Sequence, residues 1–144
     1  MKLTIFTTLP SANELLRMHW AKRSRLRKLL VKEIEVACWE VRVEVPVERE
    51  KVKKSVTITI FRKGRRFDKD NAYGAAKPVV DALRSLGLIY NDSERWLDLG
   101  VCQELDHAHP RTEIEIKSVG FTAVRRTTEK WDSKKLPCPA REGD

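Results

Sequence analysis

Apolar and polar positions alternate most regularly over residues 55–62, where Val56, Ile58 and Ile60 are interleaved with Thr57, Thr59 and Phe61. A period of two predicts a strand with one face buried. Residues 2–9, KLTIFTTL, are rich in Thr, Ile and Phe and predict an earlier strand, ended by Pro10. Ser11-Ala-Asn-Glu14 then has the spacing of a capping box, with Ser11 or Asn13 as the cap. Beyond it Leu15, Leu16, Trp20, Leu26, Leu29, Leu30, Ile34 and Trp39 recur at helical steps. They predict one or two amphipathic helices ending before Pro46.

Residues 47–54 are polar and read as a loop. After the strand over 55–62, Ala75, Ala76, Val79, Val80, Leu83 and Leu86 outline the buried stripe of a further helix that stops at Gly87. Pro78 within it implies either a late start, with the proline in the first turn, or a kink. Leu88-Ile-Tyr90 is a short apolar step. Strand-like runs around 96–104 and 112–118 flank Asp106-His-Ala-His-Pro110 and read as a hairpin. From about Thr127 the chain is polar and aperiodic, which sets a tail (121–144) apart from a domain (1–120). Strand, helix, strand, helix and two strands make an α/β (α+β) domain without internal repeats.

Charge adds a partner class to this outline. Over 144 residues, 29 Lys and Arg outweigh 21 Asp and Glu, for a net charge of +8. Arg17, Lys22, Arg23, Arg25, Arg27, Lys28 and Lys32 crowd the long helical stretch, where Glu14 is the only acid before Glu33. Such one-signed clustering suits phosphates better than internal ion pairing. A second basic patch, Arg62 to Arg66, leads into Asp68. No apolar run approaches the ~18 residues needed to span a bilayer, and no signal-peptide pattern is present. Three scattered cysteines, Cys38, Cys102 and Cys138, argue against a disulfide framework or thiolate zinc site. A cytoplasmic protein without a membrane partner is expected.

The candidate chemistry lies in Arg65-Arg-Phe-Asp68-Lys-Asp70-Asn71, followed by Lys77, Asp81 and Asn91-Asp92. Carboxylates at i and i+2 on an extended segment point the same way, and close like charges need exposure, protonation or a cation. A hard divalent ion would satisfy them, with Asp92 as a third ligand if the intervening helix returns the chain. In a basic protein such an ion would serve phosphodiester hydrolysis. On spacing alone, turn and cap roles explain the same aspartates more simply.

The run Asp68-x-Asp70-Asn71, Lys77-x-x-x-Asp81-Ala-Leu and Gly87-Leu-Ile-Tyr-Asn-Asp92-Ser93 resembles the signature of the RusA family of Holliday junction resolvases. Asn13-x-x-x-Arg17-x-His19-Trp20-x-x-Arg23 resembles that family's opening, and the likeness spans roughly residues 1–118. It implies a compact domain with a mixed sheet packed on helices. It further implies a homodimer that uses Mg²⁺ or Mn²⁺ to cut four-way and other branched DNA in recombination and repair. By position, Asp68, Asp70 and Asp92 would be the catalytic, metal-binding carboxylates, and Lys77 would orient the scissile phosphate or stabilise its charge. Asp81 suits an i,i+4 pairing with Lys77 as well as metal ligation. Arg17, Arg23, Arg65, Arg66 and Lys69 would contact DNA. The chain departs from the pattern in a long Asp70-to-Lys77 spacing and in Asn91, which stands where the motif has a second acid. A branched-DNA-binding module without cleavage is the alternative reading, and a basic protein–protein adaptor a third.

Weaker signals have simpler explanations. Glu115-Ile-Lys117 resembles the E-x-K element of restriction-type nucleases, with Asp98 or Asp106 as the upstream acid, but a solvent-facing strand gives the same alternation. His107-x-His109 reads as an exposed turn. Trp20, Trp39 and Trp96 are expected in the core or a dimer interface.

Overall fold

The structure, a computed structural model, describes residues 1–119; the tail lies outside them. Strand β1 (Lys2–Ile5) leads through buried Leu9 to helix α1 (Ala12–Arg17). The capping box forms: Ser11 Oγ accepts from the Glu14 amide at 3.1 Å, and the Glu14 carboxylate accepts from the Ser11 amide at 2.9 Å. Helix α2 (Trp20–Glu40) follows after a break at Met18 and His19, so the long amphipathic stretch is two helices. Strand β2 is Lys54–Arg62, helix α3 Lys69–Ser85, strand β3 Leu97–Leu105 and strand β4 Arg111–Ser118.

The four strands form one mixed sheet in the order β1-β4-β2-β3. Here the hairpin expectation fails. β3 and β4 do not pair with each other; both pair with β2, β3 in parallel and β4 antiparallel. β2 has the most regular apolar alternation, and a central strand needs a neighbour on each edge. Helix α3 supplies the crossover that a parallel β2–β3 pair requires. Asp106 shapes the connection instead of a tight hairpin turn: its Oδ1 accepts from the Ala108 and His109 amides, and its Oδ2 holds Arg111 at 2.8 Å. The first strand is also shorter than the run 2–9.

Register explains the core. Leu3 faces Ile114, Ile114 faces Ile58, and Ile58 faces Val101, which makes one apolar row across all four strands. Leu30 and Ile34 of α2, with Val79 and Leu83 of α3, complete the same buried cluster. On the polar rows Glu113 is held by Lys2 and Arg111, and Glu115 pairs with Lys117, so the E-x-K residues are occupied in strand ion pairs. The arrangement is a small α+β domain. No helix among the described residues is long and apolar enough to cross a membrane.

Helix α3 begins earlier than its apolar stripe suggests and runs through Pro78. The residue four before that proline is Gly74, whose carbonyl loses its usual donor. Packing explains why Gly74 lacks a side chain, since a Cβ there would drive into the Cβ of Ala12. Gly74→Ala is therefore expected to push α1 off α3 and cost about 1–3 kcal/mol, a loss of several degrees in melting temperature. An unchanged thermal melt would overturn this packing.

Candidate active site

Two side chains hold the loop that leads into the acidic motif. The Gln103 side chain on β3 bonds both backbone groups of Phe67, accepting from its amide at 2.8 Å and donating to its carbonyl at 3.0 Å. Arg62 stacks on the Phe67 ring at 3.4 Å and donates to the Arg65 carbonyl at 2.8 Å. Desolvation lowers the pKa of Arg62, yet its guanidinium remains a cation. Asp68 then occupies the N-cap of α3 in extended conformation, without a side-chain capping bond, and Asp70 lies in the first turn. Both are exposed. Acids suit the positive end of a helix.

The segment returning from α3 is set just as firmly. Gly87 takes a φ of 74°, a conformation that favours glycine, and Leu88 and Ile89 are buried behind it. Asn91 Oδ1 accepts from the Ser93 amide at 3.1 Å, an Asx turn. The residue that stands where the motif has an acid thus shapes the backbone around Asp92. Tyr90 and Trp96 meet edge-on, with ring centroids 4.7 Å apart. The Leu88–Tyr90 step is not a strand.

Asp92 meets Lys77 at 2.5 Å. Lys77 also reaches Asp81 at 3.4 Å, the i,i+4 pairing, and Arg84 approaches the other oxygen of Asp92 at 3.6 Å. The hydrogen bond to Asp92 is the largest influence holding Lys77 above the ordinary lysine pKa, despite some desolvation. The same bond holds Asp92 below the ordinary carboxylate range. Both groups are therefore charged at neutral pH. Arg84 was missed in the sequence, although its i+7 spacing from Lys77 places it on the same helix stripe.

Asp70 and Lys77 also share that stripe, being seven residues apart, with about 10 Å between them along the axis. Beside Lys77 a cavity of about 900 Å³ opens between α3 and the β3 edge, lined in part by Lys53, Tyr73, Asp92 and Glu94. A smaller one, about 330 Å³, lies between the helices and is lined by Arg23, Arg27, Lys77 and Asp81 among others. Lys77 thus stands between two openings.

The carboxylates have the right chemistry for Mg²⁺ or Mn²⁺ but are not assembled as ligands. Among the described residues no three Asp, Glu, His or Cys side chains form a group that could hold a metal ion. Asp92 is engaged by two cations, whereas Asp68 and Asp70 face solvent at the start of α3.

The cations expected to meet DNA are all exposed. Arg17 ends α1, Arg23 lies in the first turn of α2, Arg65 and Arg66 lie in the loop, and Lys69 begins α3. None has an ion-pair partner among the described residues. The first turn of α2 contains no acid at all. Cations at a helix N-terminus are unfavourable by themselves, which leaves this end of α2 suited to an external anion. Trp20 and Trp39 lie outside the core, 69% and 81% exposed, which leaves the interface half of their expectation. His107 and His109 lie in the exposed turn, as expected. Neither a protein-family model nor a curated protein matches the chain.

Proposed function

We propose that the protein is a homodimeric, structure-selective endodeoxyribonuclease of the RusA type that hydrolyses phosphodiesters in branched DNA, Holliday junctions included, in recombination and repair. The contact between Lys77 and Asp92 carries this reading. It joins two motif segments fifteen residues apart and presents a fully charged lysine at the mouth of a cavity. Lys77 supplies the electrostatic part of the chemistry: its ammonium donates to a non-bridging oxygen of the scissile phosphate as charge develops there. Asp81 and Asp92 keep it charged and hold it in place. The unpaired cations of α2 and of the loop over 63–66 bind flanking phosphates, and branch selectivity comes from shape. Mg²⁺ or Mn²⁺ belongs to the reading through the motif, with Asp68, Asp70 and Asp92 as its expected holders. Those three side chains are not gathered into one group.

A fixed four-way junction incubated with Mg²⁺ tests the proposal. Wild-type protein is expected to cut it, and Asp70→Asn to cut about 100-fold more slowly or not at all. Equal rates would remove Asp70 from the mechanism. A second reading, a branched-DNA-binding module, draws support from the engagement of Asp92 by Lys77 and Arg84. Retention of the junction in a gel without products across Mg²⁺ and Mn²⁺ would favour it.

A further inference from the structure

Helix α2 carries an apolar stripe that the domain does not cover. Leu30, Ile34, Ala37 and Cys38 are buried, yet Leu29 and Val36 on the neighbouring face are 48% and 52% exposed. Leu29, Lys32, Val36 and Glu40 follow one another at helical steps and line one side of an apolar groove of about 290 Å³. Phe6, 72% exposed, lines the other side next to β1, an edge strand of the sheet. Glu33 on this face is already committed to Thr7, accepting from its amide at 3.2 Å and from its hydroxyl. Lys32 and Glu40 have no ion-pair partner among the described residues.

We propose that this face is where a second copy of the chain seats, α2 against α2, antiparallel about a two-fold axis at Val36. Positions equally far from Val36 then face each other across the axis. Lys32 and Glu40 are each four residues from it, so Lys32 meets the partner's Glu40 and Glu40 meets the partner's Lys32. Two equivalent ion pairs close over a Val36 contact, which is the self-complementarity an isologous interface requires. A stripe with a cation at one end and an acid at the other is neutralised only when the helices run in opposite directions. The charge order therefore selects the orientation, and the apolar residues between supply the attraction. Trp39, at the edge of the stripe, extends over the partner helix about one turn before its Val36.

The inference rests on the homodimer reading above, and the experiment separates the two. Sedimentation or light scattering is expected to show a wild-type dimer. Lys32→Glu and Glu40→Lys are each expected to weaken dimerisation about 10-fold or more, because each sets two like-charged pairs across the axis. The double variant Lys32→Glu, Glu40→Lys reverses the charge order and is expected to restore the dimer. Circular dichroism confirms that each variant is folded. A dimer unaffected by either single change, or not restored in the double variant, would overturn this surface and leave the homodimer standing. A wild-type monomer at every concentration would overturn both. Junction binding and cleavage are measured separately, so neither outcome decides whether the protein is a nuclease.

Discussion

Lys77→Met is expected to slow junction cleavage about 100-fold or more, while the protein stays folded and still binds the junction. Methionine keeps an unbranched apolar stem of similar reach and lacks the ammonium, the group proposed to meet the developing charge. Losing one such donor typically costs two to three powers of ten in turnover. Binding should change little, since many other cations are proposed to hold the flanking phosphates, so the loss is expected to fall on kcat and leave KM nearly as it was. The effect on stability is small. Lys77 is 55% exposed on its side chain, and ion pairs in such surroundings contribute at most about 1 kcal/mol. Single-turnover cleavage beside a binding titration checks both halves. Wild-type rates in the variant would show that the contact with Asp92 is structural only.

Raising the salt concentration is expected to have a comparably large effect on affinity. Lys22, Arg23, Arg25, Arg27 and Lys28 are exposed along the first half of α2, and the basic loop adds Lys63, Arg65 and Arg66. If about six of these cations neutralise phosphates, the logarithm of affinity falls with a slope near −5 against the logarithm of salt. That is about a thousandfold loss between 50 and 200 mM. Fluorescence anisotropy with a labelled junction at several KCl concentrations gives the slope directly. A flat dependence would mean that these cations do not face the nucleic acid.

Much of the architecture was legible in the chain because local signals determine it. Ser11 and Glu14 announce their own capping box, Val56, Ile58 and Ile60 mark a buried strand face, and Gly87 marks a helix end. Strand pairing is not local. Nothing between Leu105 and Arg111 reveals that β4 passes β3 to lie against the far edge of β2; that outcome depends on which strand has the best apolar face to bury. The tryptophans could not be assigned between core and interface for a related reason. Trp20 and Trp39 stand in register with apolar neighbours, but a helix of 21 residues against a small sheet cannot bury every position of a broad stripe. Within the candidate site, the pairing of Lys77 with Asp81 follows from their spacing. The approach of Asp92 depends on the turn built by Asn91, which spacing does not encode.

Asp68, Asp70, Lys77 and Asp92 all belong to one strand–helix–strand passage, β2 through α3 to β3. Along α3 the placement of Asp68 and Asp70 relative to Lys77 is an angular matter, set by helix pitch. Adding one residue between Asp70 and Lys77 would swing the first acid by about 100° around the cylinder. Lengthening the connection at 106–110 would leave that alignment in phase. Evolutionary tinkering with this protein thus has a free end and a geared one, and Asp68 and Asp70 ride on the gear.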